Sequence, residues 1–505
     1  MNRLRAALAL EVRVELRYRI VAVAAALAVL WTVLLFAVPV AAAGTVAAYL
    51  LFLDTAAFGA LFSAALLLFE RTEGTRQALA ASPLRTTEAV FARLTVLTAL
   101  SLLMAVPMVV AAVRDRIGDL PQVLLPALAG VALTALLLLA SCLATGARTR
   151  DFSRFLLATP LVVGPLITVP LVHVSGLLEH PLMYLVPSTV GADLIRSGTD
   201  PASVSAGPML LGLGTAYALA WVAAAVVMAH RALEQGPAPR QAAGRRAAST
   251  RGRITGRGGL PAVVRFARID LFGAGRDPLL LLMLCAPVLL ALVICFLFPV
   301  AADLLRTSYG FALEPHTPVL LAALVLLHVP MMFGVAGGLR AIEDRDDNVL
   351  LVLRVSPLSL TSYLAYRMVL VAVLSLLGLI VALPLSGLMA GGWSAGPTAA
   401  VFSTALQAPL LLAGMTALAA NKVEAMVVVK GIGALMVLCP VAAWLLPSPW
   451  NLLLLPLPPT WPTLMIPGYD PGPLGTWVLL FGGLMVTAVA ITVGLRRTVR
   501  RIGGE

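Results

Sequence analysis

The chain has 505 residues, a formal charge of +12, and a composition that is 60% hydrophobic but only 12% charged. Soluble domains carry about 25% charged residues, so this balance, with a mean hydropathy of +0.98, excludes a soluble globular protein and describes a polytopic membrane protein. The basic excess does not argue for nucleic acid, because basic residues collect in the cytoplasmic loops of membrane proteins and set their orientation.

In chain order, Met1 to Arg19 carries five arginines and two glutamates among Leu, Val and Ala, and reads as a helix lying at the membrane surface. Apolar runs follow at about 20–41, 45–69, 94–113, 121–146, 153–175 and 208–230. After a polar stretch they resume at about 278–300, 317–341, 368–390, 398–420, 425–446 and 475–496. Each is near the ~20 residues that cross a hydrocarbon core, which predicts an all-α protein of twelve transmembrane helices, six plus six. With both termini placed in the cytoplasm, all of the 36 Lys+Arg fall on that side except Arg114, Arg116, Arg196 and Arg306. The stretch 235–260 is rich in Gly, Pro and Arg and too poor in apolar residues to fold, so it reads as a flexible basic linker. It separates a first domain, 1–234, from a second, 261–505. The four cysteines lie inside apolar runs without metal-ligand spacing.

An internal repeat organises the whole. Glu70-Arg71-Thr72-Glu73, Ser82-Pro83-Leu84 and Arg93 recur as Asp344-Arg345-Asp346-Asp347, Ser356-Pro357-Leu358 and Arg367, at a constant offset of 274 residues. Each copy joins two apolar runs and reads as a short charged helix broken by Pro83 or Pro357. A charged connection that recurs in a repeat is a candidate functional surface rather than a solvated loop. The segments 174–207 and 447–474 also correspond, with Pro187-Ser188-Thr189 matched to Pro458-Pro459-Thr460.

These features resemble the membrane domain of ABC-2 type exporters: a pre-membrane helix, a charged helix between spans two and three, and a re-entrant outer segment before span six. More narrowly, both halves resemble the paired permease subunits of actinobacterial fluoroquinolone-export ABC transporters, fused into one chain. The resemblance implies two six-span domains of type V, ABCG-like fold around a pseudo-two-fold axis in a bacterial plasma membrane. It implies that Glu70, Arg71, Glu73, Asp344, Arg345 and Asp347 couple to a homodimer of a separate ABC ATPase. No phosphate-binding Gly-X-X-X-X-Gly-Lys-[Ser/Thr] occurs in the chain, so ATP and Mg are expected on that partner, with no cofactor and no catalysis here. The expected cargo is a hydrophobic, drug-like molecule. The alternatives are a peptide or lipid exporter and a proton-coupled secondary transporter, against which the scarcity of membrane carboxylates counts.

Two further sets of residues are expected to serve transport. Pro187, Thr189, Pro458 and Thr460 would lie in half-helices that gate the outer exit, where irregular backbone needs protein or a watery cavity to satisfy it. Trp450 and Trp461 in the same region read as interface anchors. The 274-residue offset sets Asp54 of span two against His328 of span eight. Asp54 lies 16 residues before Glu70, about 24 Å along the helix. A carboxylate at that depth should face a cavity or a partner, either His328 or a cationic substrate.

Overall fold

The computed structural model describes residues 2–72, 84–149, 152–234, 263–268, 278–346 and 358–503, apart from 177, 179, 205, 266, 390 and 473. The chain forms two compact units, Met1–Gly256 and Arg257–Glu505. Among the described residues there are no strands, and twelve helices are long and apolar enough to cross a membrane. The 235–260 stretch lies outside the described residues.

In the first unit the N-terminal helix, Asn2–Arg17, turns at Arg19 (φ 60°) into span one, Ile20–Ala37. Its buried side carries Ala7, Glu11 and Glu15, while Leu10, Val12 and Leu16 are exposed. An exposed apolar face with buried acids suits a helix lying on lipid and leaning on protein. Span two runs Val40–Glu70, span three Thr86–Ala112, span four Ile117–Arg148, span five Arg154–Val174 and span six Pro208–Glu234. Span four is the most enclosed of this unit's spans after span two and has the other helices packed around it. Between spans five and six, a 3-10 turn (Pro181–Leu185) leads into a helix of 12 residues, Ser188–Thr199. At ~1.5 Å per residue this helix is too short to cross a bilayer, and its residues are almost all buried against span four. Glycine allows the close crossing: a Cβ on Gly191 would fall 2.2 Å from Thr134 Oγ1, and one on Gly198 would fall 2.4 Å from the Val123 carbonyl.

The second unit repeats the order, with spans seven to twelve at Met283–Thr307, Glu314–Asp346, Leu360–Leu385, Ala395–Leu418, Lys422–Leu445 and Thr476–Arg501. Span ten is interrupted at Leu406, between helices Ala395–Ala405 and Gln407–Leu418. Pro409 explains the break, since it lacks the amide that would bond Ala405 four residues earlier and its ring crowds that carbonyl. Asn421 caps span eleven by accepting from the amides of Val423 and Glu424, both at 3.0 Å. The corresponding segment here is a 3-10 turn, Trp450–Leu454, followed by the single turn Thr460–Thr463, shorter than the half-helix expected there.

One boundary differs from the hydropathy reading in both units. Spans three and nine were expected from 94 and 368, just past Arg93 and Arg367. The helices begin at Thr86 and Leu360 and carry both arginines inside. A guanidinium ends an apolar run by composition, but it does not end a helix when carboxylates neutralise it.

Candidate functional site

Arg93 is 7% exposed and lies where the N-terminal helix, span two and span three meet. Its Nε donates to Glu11 Oε1 at 2.6 Å, and its Nη2 reaches Glu11 Oε2 at 3.5 Å. The same Nη2 binds Glu70, at the end of span two. In the second unit Arg367 Nη2 donates to Asp344 Oδ2 at 2.8 Å. The Tyr363 hydroxyl donates to the same oxygen at 2.5 Å, and the Arg367 Cζ stands 5.4 Å from the Tyr363 ring centre. Glu70–Arg93 and Asp344–Arg367 are thus one ion pair written twice at the 274-residue offset. Around the second copy, Arg340 bonds Glu343 at 3.0 Å and approaches Asp344 at 3.7 Å, while Lys422 at the head of span eleven reaches Glu343 at 3.2 Å. A buried guanidinium with a planar, hydrogen-bonded carboxylate partner fixes helix register as a hydrophobic contact cannot.

Beside the first clamp, Glu15 is 1% exposed and its Oε1 has no hydrogen-bond partner among the described residues. Burial, then the neighbouring Glu11 charge, pushes its carboxyl up to about 8, against a weaker opposing pull from Arg93.

Of the residues expected to face a partner, Glu70 and Asp344 instead turn inward and spend their carboxylates within their own units. The reason is the arginine that each span three or nine buries, which would otherwise lack a counter-ion. Arg345 is half-buried just beyond Asp344. Arg71 continues the span-two helix, its side chain outside the described set, and Glu73 and Asp347 lie outside the described residues. So do both Ser-Pro pairs of the repeat.

Asp54 sits in a π-helical stretch of span two, Leu51–Ala56, and accepts a 2.7 Å hydrogen bond from Trp31 Nε1 of span one. This carboxylate therefore has a partner inside its own six-span bundle. His328 is half-buried and opens the α-helical part of span eight, directly after a second π-helical stretch, Leu321–Leu326. The two π stretches start 270 residues apart rather than 274, one helical turn out of step with the repeat. A π turn widens the helix and is frequent at functional positions.

At the opposite end of the spans, Pro187 precedes the helix Ser188–Thr199, and Thr189 is fully buried with its hydroxyl donating to the Met183 carbonyl at 2.8 Å. The Pro458 carbonyl accepts from Gln407 Nε2 at 3.3 Å, at the break in span ten, and Thr460 is buried at the start of its turn. Trp450 is 61% exposed, as an anchor would be. Trp461 is not an anchor: its Nε1 donates to the Leu455 carbonyl at 2.7 Å, and its ring lies where a Cβ on Gly482 would come within 2.3 Å. Paired glycines in span twelve make the seat for the indole.

Sequence reasoning missed one cluster. His173, Asp193 and Arg196 are each more than nine-tenths buried at this end of the first unit. His173 Nε2 lies 3.2 Å from Asp193 Oδ2, to which Tyr184 also donates, and Arg196 approaches Oδ1 at 3.7 Å. The available signal was an Asp–Arg pair three residues apart in a segment otherwise poor in charge. The four arginines expected away from the basic side all find partners: Arg114 donates to the Leu35 and Val38 carbonyls at 2.9 and 2.6 Å, Arg116 to the Thr199 carbonyl at 3.1 Å, Arg196 faces Asp193, and Arg306 faces Glu314 at 3.8 Å.

The two units match two descriptions of one kind of protein. Residues 2–236 match the Fluoroquinolones export permease protein family, and residues 270–495 match Fluoroquinolones export permease protein Rv2686c-like. The chain belongs to the fluoroquinolone export permease family. Fluoroquinolones export permease protein Rv2686c of Mycobacterium tuberculosis (strain ATCC 25618 / H37Rv) is 29% identical over 245 residues, 48% of this chain and 96% of the relative. Fluoroquinolones export permease protein Rv2687c of the same strain is 32% identical over 217 residues, 43% of this chain and 89% of the relative. Each relative is about half as long as this permease, which carries two family matches in tandem, as a fused pair would. With twelve apolar helices, the permease is a multi-pass protein of the bacterial plasma membrane.

Proposed function

We propose that this permease is the membrane-spanning part of an ATP-driven exporter for fluoroquinolones or similar amphiphilic drugs. ATP is hydrolysed on a homodimer of a separate ABC ATPase, with Mg, and the two six-span units expose a central pathway alternately to each side. The observation that carries the reading is the tandem match, in which each half corresponds to a family named for fluoroquinolone export. In this scheme both termini are cytoplasmic, and the segments after Glu70 and Asp344 dock on the ATPase through Arg71, Glu73, Arg345 and Asp347. The Arg93 and Arg367 clamps then act one step inward, tying each docking segment to the span that follows it. Asp54 and His328, beside π-helical turns, are assigned to the transport pathway. Pro187, Thr189, Pro458 and Thr460 are assigned to the outer gate.

Transport into inverted membrane vesicles containing the permease and its ATPase tests the proposal. Uptake of a fluoroquinolone should need ATP and persist when the proton gradient is collapsed. Uptake driven by a proton gradient without ATP would instead establish a secondary transporter.

A further inference from the structure

The first unit has a cavity of ≈ 240 Å³ where the N-terminal helix meets spans two and three. Leu10, Val14, Leu67, Val90 and Leu143 give it apolar walls. Glu11, Glu70 and Arg93 form its charged wall, and the exposed Arg85 stands at its edge. The wall sets two carboxylates against one buried guanidinium, with Glu15 buried nearby as a third acid.

The second unit shows what fits beside such a clamp. Ala89 lines the cavity, and the residue 274 positions on is Tyr363. Tyr363 is fully buried; its ring lies against the Arg367 guanidinium and its hydroxyl donates to Asp344. Leu358 and Leu364, which correspond to Leu84 and Val90 of the cavity, pack with that ring in one apolar cluster. The first unit therefore has the acid, the arginine and the apolar surround but a methyl group in place of the phenol.

We infer that this cavity is a binding site for a small aromatic ammonium compound, whose ring takes the place that Tyr363 fills in the second unit and whose N–H groups bond the Glu70 and Glu11 carboxylates. The guanidinium face offers the ring the stacking surface that Arg367 offers Tyr363. An ammonium rather than a neutral phenol matches the wall, because a phenol has a single O–H to donate, whereas carboxylates from two different elements accept here and an ammonium carries enough N–H groups to serve both. The inference does not depend on the exporter scheme.

The test is photolabelling of the purified full chain in lipid nanodiscs, without any ATPase, using 4-azidobenzylamine. Saturable label should map to helix 2–17 or to residues 84–93. Excess benzylamine should compete for it, whereas excess ethanolamine, which has the ammonium of a lipid headgroup but no ring, should not. Ala89→Tyr should reduce the label at least tenfold and Ala89→Ser should retain it. The reciprocal Tyr363→Ala should create a second labelled site at residues 358–367, a gain that does not depend on whether the first variant folds. Equal labelling in Ala89→Tyr, no new site in Tyr363→Ala, or equal competition by ethanolamine would each overturn the assignment. Because binding is read without transport, loss of export in cells and loss of this site are distinguishable.

Discussion

The two units share a backbone plan and differ in how they satisfy the same buried places. At the arginine-rich end, among the described residues, the first unit holds Arg93 between carboxylates from two other elements, while the second sets the phenol of Tyr363 beside the Asp344 carboxylate. At the other end, His173 and Trp444 each occupy the penultimate position of the helix that forms the fifth span of their unit. His173 joins Asp193, Tyr184 and Arg196 in a polar cluster. Trp444 stands edge-on to Tyr469, with ring centres 5.4 Å apart, and near His316 at 6.3 Å. Among the described residues, Glu11 and Asp193 bring a carboxylate to these places in the first unit, and Tyr363 and Trp444 bring an aromatic ring in the second. A ring contributes packing that depends little on its neighbours' ionisation, whereas a buried charge depends wholly on its partners. The first unit should therefore be the more sensitive to losing a single side chain.

The largest effect expected is from Arg93→Gln, which leaves Glu11 and Glu70 buried without a counter-ion. Removing one partner of a buried pair costs about 3–5 kcal/mol. Arg367→Gln should cost less, because the Tyr363 hydroxyl and Arg340 still serve Asp344. Thermal unfolding of the two variants in detergent should rank them in that order, and an equal loss would break the comparison.

The next effect depends on pH. Glu15 titrates near pH 4.5 when unfolded and near 8 when folded, so the folded state binds the extra proton between those values. Its burial is harmless below about pH 4.5, costs progressively more as pH rises, and reaches its full penalty above about 8. Glu15→Gln should thus stabilise the protein at pH 8 and converge with the wild type near pH 4.5, as followed by unfolding across pH. A difference independent of pH would contradict the placement of this carboxyl.

Asp193→Leu should follow, at about 1–3 kcal/mol, since it removes the buried carboxylate that His173, Tyr184 and Arg196 now share. Trp444→Leu in the second unit should lower stability through lost packing against Tyr469 and His316, read as a lower unfolding temperature in detergent. The smallest change expected is Gly483→Ala, whose Cβ would lie 2.7 Å from the Trp461 Cβ and force the indole to shift. Overpacking of this kind costs about 1–3 kcal/mol, and a red shift in tryptophan fluorescence would report the displaced ring.

Much of this architecture was legible in the residues alone. Twelve apolar runs and the charged repeat at a 274-residue offset reappear in the structure as twelve helices and paired clamps, while the two Pro-X-Thr segments differ, a buried helix of 12 residues in the first unit and a single turn, Thr460–Thr463, in the second. Hydropathy is local and nearly additive, so spans can be read one window at a time, and a repeat needs only two stretches of sequence to be compared. What surrounds a buried charge is not local. Nothing near Arg93 announces Glu11, 82 residues away, and nothing local to Glu70 shows that its carboxylate meets Arg93. The same holds for the indole of Trp461, seated on glycines of another span, and for His173, whose carboxylate partner comes 20 residues later after a turn. The exchange of Ala89 for Tyr363 was present in the sequence as a difference between two letters. Only packing turned it into an open cavity in one unit and a filled one in the other, because a void exists only where every surrounding element fails to fill it.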